Sequence, residues 1–417
     1  MAPIKNESAD VIVIGGGPAG ATVAALVAQK GHRVVIYERE HFPRFHIGES
    51  LIPCTYHPLE RLGMLPKLKA SHFVRKHSVQ FITQHGKLSE PFYFEDHRPH
   101  ESSYTWQVYR QEFDVMMLDN AREHGVTVHE GARVLDVIFD GDRAVGVEVL
   151  LEDGTRQESR AKVIVDATGQ HSMIMRKLNL RDWDPVLKKS AIWTYYEGAF
   201  RDSGKDEGAT IIMQTKDKAG WFWYIPLQNN LTSVGVVAGH EYLFKNRASN
   251  DLGAIFAEEV ERCPGVQPRI AGGKRTTQYF SAREYSYKAR QTAGAGWTLV
   301  GDAYGFLDPL YSSGVLLALQ SGQLAADAIT DGMARNDTSA AQLGRWNADF
   351  NRGMDRMRRL VIAFYEGLSF GAFLKKHPHL KGCITDLLIG DLFDDKVDVL
   401  WEPLEAFRKE QAAMAMV

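Results

Sequence analysis

The sequence predicts an α/β protein built around a βαβ nucleotide-binding unit. Three observations carry that class. Residues 10–39 run through strand, glycine turn, helix, strand and acid in succession. Two further short apolar segments, 161–165 and 297–300, end in DATG and GD turns. The region from about 335 to 417 is rich in helix formers, with apolar residues at helical spacing.

Taken in order, Val11 to Ile14 is a short β-branched run of the kind buried in parallel sheets. The stretch Gly15-Gly16-Gly17-Pro18-Ala19-Gly20 fits GxGxxG through Gly15, Gly17 and Gly20. The first glycine permits the tight turn, and the second lets backbone approach a pyrophosphate. The third lets helix and strand pack closely. A helix is expected from Ala21 to Gln29, closed by Gly31, with the pyrophosphate at its N-terminus. Arg33 to Tyr37 reads as the second strand. Glu38, 18 residues after Gly20, can accept hydrogen bonds from a ribose hydroxyl. The pattern predicts a bound dinucleotide and by itself leaves NAD or FAD open.

Composition sets the wider limits. A chain of 417 residues suggests two domains, or one large domain with an appendage. A net charge of -3 gives no sign of nucleic-acid or membrane-surface binding. Eight tryptophans suit either a pocket for a flat ligand or a large core. Cys54, Cys263 and Cys383 lie far apart, with no CxxC and no metal-ligand spacing, so no metal is expected and the compartment reads as reducing. The stretch MAPIKNESAD lacks an apolar h-region, and no run approaches 18 apolar residues. A cytoplasmic location is expected.

Three stretches carry chemistry. In GWFWYIPL, 220–227, a strand would place Trp221 and Trp223 on one face and Phe222 and Tyr224 on the other. That is a buried core strand, or a wall beside a reactive cofactor. In FVRKHSVQF, 73–81, Arg75-Lys76-His77 is a basic cluster that usually marks a solvated face. The alternation of Val79 and Phe81 reads as a strand over 77–83. In FLDPLYSSGV, 306–315, Ser312-Ser313-Gly314 opens an amphipathic helix. Such a start is an N-cap, an anion site, or both.

These residues together resemble the flavoprotein monooxygenase class, and within it the flavin-dependent halogenases. Trp221-x-Trp223-x-Ile225-Pro226 matches the WxWxIP signature of the halogenases. FPRFHIGESLIP, 42–53, resembles the loop that covers the flavin in halogenases and geranylgeranyl-reductase-like proteins. Lys76-x-x-Val79-x-Phe81 resembles the segment carrying the essential lysine. The resemblance implies a fold with a discontinuous FAD-binding Rossmann-type (GR2/PHBH-like) domain, 1–184 and 286–332. It further implies an interleaved β-sheet substrate domain, 185–285, and a C-terminal helical element, 333–417.

The implied cofactor residues fall into two groups. Gly15, Gly17, Pro18, Ala19, Gly20, Glu38 and Arg39 would hold the ADP half. Gly48, Glu49, Ser50, Arg110, Val134, Asp302 and Gly314 would meet the rest of FAD, with Asp302 on the ribityl chain. For Arg110 a helix-start salt bridge is the alternative. Halide maps to Pro309, Ser313 and Gly314, and the tunnel motif to Trp221, Trp223, Ile225 and Pro226. The implied reaction uses FADH2 from a separate flavin reductase, O2 and a halide ion. A flavin hydroperoxide would give hypohalous acid, which travels to the catalytic Lys76. There a Lys ammonium would polarise it, or a neutral amine would be halogenated; both stay open.

One departure narrows the substrate. Tryptophan halogenases have a glutamate next to the serine pair, and this sequence has Tyr311. That fits the branch acting on phenols or pyrroles, and the short tail favours a pyrrolyl group tethered to an acyl carrier protein. Arg356, Arg358 and Arg359 could meet such an acidic carrier, or form a solvated helix face. The competing readings are a halogenase of a free or tethered phenol, a flavin aromatic monooxygenase, and an alkene reductase with a long apolar tunnel.

Overall fold

The computed structural model describes residues 7–245, 247–283 and 286–415. A six-stranded sheet carries the nucleotide-binding unit. Val163–Asp166, Val11–Ile14, Val34–Tyr37 and Thr127–His129 lie side by side and parallel. Trp297–Leu299 adds to the outside of Val163–Asp166, and Ala293–Gly294 returns antiparallel to it. All residues of Val11–Ile14 are buried, as its unbroken apolar run requires for a strand covered on both faces.

The helix after the glycine turn spans Pro18–Ala28, so it starts before the expected Ala21. Pro18 fits the first turn because its missing N–H would be unpaired there anyway. The helix packs against Arg110–Glu123 and Gly314–Ala334. Two glycines set how close it sits. A Cβ on Gly20 would lie 2.0 Å from the Gly15 carbonyl oxygen, and one on Gly322 would lie 2.9 Å from the Ala19 oxygen.

A second, eight-stranded sheet stands beside the first. Its main path runs Lys274–Arg275, Lys189–Glu197, Leu231–Gly239, Gly220–Pro226, Thr210–Gln214, Ser78–Ile82 and Phe92–Tyr93, and Phe280–Arg283 pairs with Lys189–Glu197. The strand anticipated over 77–83 therefore joins a sheet whose other long strands come more than a hundred residues later. Its neighbour Thr210–Gln214 runs parallel to it, with Val79 opposite Thr210. The C-terminal part is helical, with long helices at Asn347–Tyr365 and Trp401–Ala415. Met354, Met357, Val361 and Phe364 form the buried stripe of the first.

Candidate functional site

A cavity of about 430 Å³ opens along the ends of the parallel strands and continues against the second sheet. That size suits a small-molecule site. One end is formed by Gly15, Gly17, Pro18, Ala19, Glu38 and Arg39, the middle by Gly48, Glu49, Ser50, Arg110, Val134 and Asp302, and the far wall by Trp221, Trp223 and Ile225. Gly20 is absent from the lining because it sits beneath, filling the helix–strand contact. Gly15 has φ +103°, and a Cβ there would lie 2.5 Å from the Ala167 oxygen, so only glycine makes this turn.

The charged groups fit a flavin dinucleotide. Glu38 is buried and accepts from Gly16 N at 2.7 Å and Glu40 N at 2.9 Å, fixing its carboxylate at the strand end. Arg110 donates twice to Asp114, through Nε at 2.7 Å and Nη2 at 2.9 Å, while Nη1 holds the Ile47 oxygen at 2.7 Å. Arg110 makes the helix-start salt bridge to Asp114, and it also lines the cavity. It pins the covering loop where Gly48, at φ +106°, passes over it. Burial pushes the carboxyls of Asp302 and Glu49 up, each to about 7. Glu49 Oε1 accepts from Tyr195 at 2.6 Å, but buried Oε2 has no partner among the described residues. An elongated glycine-walled cradle, a fixed acid at the strand end and an orphan carboxylate oxygen in the middle match FAD from adenosine ribose to ring.

The aromatic strand resolves the ambiguity in GWFWYIPL. Its residues are all buried, and the two faces belong to different clusters. Trp221, Trp223 and Ile225 join the main core and face the cavity. Phe222 and Tyr224 join a smaller core with Phe256 and Val236. Pro226 ends the strand opposite Thr232 and does not line the cavity. Trp223 lies across the neighbouring strand, where Gly235 leaves it room, and its indole N–H donates to Ser233 Oγ at 3.1 Å.

Lys76 is 1% exposed, although it lies in a basic cluster. Its strand, Val74–Lys76, pairs antiparallel with Thr105–Gln107. The Nζ donates to Ser50 Oγ at 2.8 Å and to the Leu51 oxygen at 2.9 Å. It also lies 5.8 Å from the centre of the Phe94 ring. Among the described residues no carboxylate pairs with it, and burial lowers its pKa to about 7. Lys76 does not line the cavity; Ser50 and Thr210, whose hydroxyls lie 2.7 Å apart, stand between. Gln107 Nε2 holds Thr210 from behind at 2.9 Å.

The turn before the Gly314–Ala334 helix is held by Asp308. Its Oδ1 accepts from Leu310 N at 3.0 Å, and Ser312 then takes the left-handed conformation at φ +58°. No side chain caps the helix at Ser313, so the N-cap alternative is not taken. Gly314 and Pro309 line the cavity, and Ser313 sits behind them, 1% exposed. Tyr311 is buried with its hydroxyl unpartnered among the described residues, and its ring lies 6.5 Å from those of Phe364 and Phe370.

Of the arginines considered for a carrier protein, Arg356 and Arg358 are occupied internally, while Arg359 pairs on the exposed helix face. Arg356 holds Asp398 and Asp395, Arg358 holds Asp184, and Arg359 holds Glu405. Arg356 is also buried, so it forms no solvated face. Thr210, Tyr195, Gln107, Asp308 and Tyr365 escaped the sequence reading. Only the period-two face shared by Trp193 and Tyr195 could have hinted at one of them.

A family model described as tryptophan halogenase matches residues 10–95 and 82–369. The chain is 32% identical over 393 residues to a 1H-pyrrole-2-carbonyl-[peptidyl-carrier protein] brominase of Pseudoalteromonas luteoviolacea, covering 93% of each chain. It is 29% identical over 417 residues to the corresponding chlorinase of Pseudomonas fluorescens, covering 94% of this chain and 91% of that one. Its structure is similar to that of the flavin-dependent brominase Bmp2, with a TM-score of 0.85, 30% identity and coverage of 98% and 99%. No helix among the described residues is long and apolar enough to cross a membrane.

Proposed function

The chain belongs to the flavin-dependent halogenases, enzymes that use FAD, halide and O2, and from that premise we propose that it halogenates a pyrrolyl group carried on an acyl carrier protein. The observation that carries the chemistry is the setting of Lys76. Two neutral oxygens hold its Nζ, burial makes its charge costly, and no carboxylate among the described residues neutralises it. With two donors spent, the ammonium form keeps a third N–H for a small oxidant, and the neutral form keeps its lone pair. The pyrrolyl-carrier reading draws support from the two relatives covered over almost their full length. Tyr311, in place of the glutamate of tryptophan halogenases, suits a ring that loses its proton with less help.

When bound in the cavity, reduced FAD with O2 supplies the oxidising equivalent that converts halide to hypohalous acid. The chain's own residues do the rest. Pro309, Ser313 and Gly314 would hold halide, with the helix dipole favouring the anion. Trp221, Trp223 and Ile225 form a rigid wall that keeps water and other acceptors away from the oxidant. Ser50 and Thr210 lie between that wall and Lys76, and a small neutral species can pass a hydrogen-bonded hydroxyl pair where a bulky aromatic cannot. Lys76 then orients the hypohalous acid toward the ring.

The test is a reaction with FAD, a flavin reductase, NADH, chloride or bromide and a pyrrolyl-carrier protein, read by mass spectrometry. A mass shift of one or more halogens on the carrier-bound acyl group is expected. A halogenated free phenol with no product on the carrier would overturn the substrate. Hydroxylated product without halogen would overturn the reaction.

A further inference from the structure

The aromatic strand and the halide turn are far apart in sequence, yet one hydroxyl joins them. Trp221 Nε1 donates to Tyr365 Oη at 2.8 Å, and Tyr365 Oη donates to Asp308 Oδ2 at 2.8 Å. Asp308 is 1% exposed and spends its other oxygen on Leu310 N, which shapes the turn leading to Ser313 and Gly314. The Nζ of Lys189 lies 3.7 Å from the centre of the Tyr365 ring. Tyr365 is the last residue of the Asn347–Tyr365 helix, so the C-terminal element reaches the reaction site here.

A buried carboxylate beside an anion site is a liability unless its charge is occupied. Asp308 has two donors, one per oxygen. Leu310 N fixes the turn, and Tyr365 occupies the second oxygen. From this geometry we infer that Tyr365 is a positioning residue for halide capture, tying the carboxylate that shapes the Pro309–Gly314 turn to the indole N–H of the aromatic wall. This rests on the halide assignment made above. Loss of the hydroxyl leaves Asp308 Oδ2 without this donor in a buried site, so the carboxylate reorients at the expense of the turn that its other oxygen shapes. The wall loses its tie to the turn in the same step.

Chloride affinity provides the test, measured on FAD-loaded protein by chlorine-35 line broadening without turnover. In Tyr365→Phe, chloride affinity falls about tenfold, the size expected for one hydrogen bond to a buried charge. Apparent KM for chloride rises in parallel, and kcat at saturating chloride falls far less. FAD affinity stays near wild type and the thermal midpoint falls by only the few degrees that two lost buried hydrogen bonds require, which separates positioning from misfolding. Asp308→Asn/Tyr365→Phe weakens chloride no more than the stronger single variant, because both act through one contact. If wild type and Tyr365→Phe saturate with chloride alike, Tyr365 has no such role and the halide site stands. If wild type itself shows no saturable chloride signal, the halide assignment falls and takes this role with it.

Discussion

The Nζ of Lys76 donates to the Oγ of Ser50 at 2.8 Å, across 26 positions of sequence. Ser50 belongs to the loop over the nucleotide cavity, and Lys76 to a strand outside it. The lysine is thus fastened to the cofactor loop by two acceptors, this hydroxyl and the Leu51 carbonyl at 2.9 Å, and a change in that loop is felt at the amine.

Lys76→Met separates stability from activity. The Lys76 pKa falls from the ordinary 10.5 to about 7, so the folded state binds fewer protons than the unfolded one between those values. The penalty is complete below about pH 7 and fades as pH rises toward 10.5. Lys76→Met raises the thermal midpoint at pH 6, with the gain shrinking by pH 9 or 10, while halogenated product falls by about a hundredfold or more. Melting curves across pH and mass spectrometry check both halves. Unchanged product in this variant removes Lys76 from the reaction.

Glu49→Gln shows the opposite window. Its carboxyl is raised from 4.5 to about 7, so the ionised form costs stability from pH 4.5 upward, fully above about 7. Glutamine keeps an acceptor for Tyr195 and removes the charge. The variant gains stability at pH 8 and gains nothing at pH 4. A midpoint difference that does not vary with pH contradicts the assignment.

Gly235 decides where Trp223 lies. A Cβ there would come within 2.2 Å of Trp223 Cζ2 and 2.6 Å of Trp193 Cβ. Gly235→Ala displaces the indole from Ser233 and costs about 1–3 kcal/mol through overpacking. Denaturant titration gives the stability change. Flavin reoxidation with NADH and a reductase then yields more peroxide per halogenated product, since the wall no longer fits.

Arg356→Ala tests a structural role. The side chain holds the Leu392 oxygen at 3.0 Å and Asp398 Oδ1 at 2.9 Å from a buried position. Its loss costs about 1.5–3 kcal/mol, the scale of hydrogen bonds to a charged group. KM for the carrier-borne acceptor stays at the wild-type value. A raised KM with unchanged stability would return Arg356 to the carrier interface.

The glycine loop, its helix, Glu38 and the alternation of Trp221 and Trp223 were legible because each rests on local spacing: one period, one turn, one cap. Long-range partners were not. Ser50 meets Lys76 because both segments pair with Thr105–Gln107, and Thr210 reaches Ser50 because Thr210–Gln214 pairs with Ser78–Ile82; nothing local in any of these strands names the others. The arginines on the Asn347–Tyr365 helix show the same limit. Charge spacing suggested an outward face, but carboxylates from 184, 395, 398 and 405 arrive by tertiary folding. The early start of the glycine-loop helix is a smaller miss, since Pro18, Ala19 and Gly20 serve both as loop and as first turn.

The contact between Trp221 and Tyr365 also orders the making of the molecule. Domains fold largely as the chain emerges, N-terminal parts first. The parallel sheet takes its last strand from Trp297–Leu299, so the nucleotide cradle can close while the C-terminal helices are unmade. Trp221 finds its acceptor only when position 365 arrives. A nascent or clipped chain ending before that residue lacks the tie between the aromatic wall and the Asp308 turn, so the two walls of the cavity are joined last.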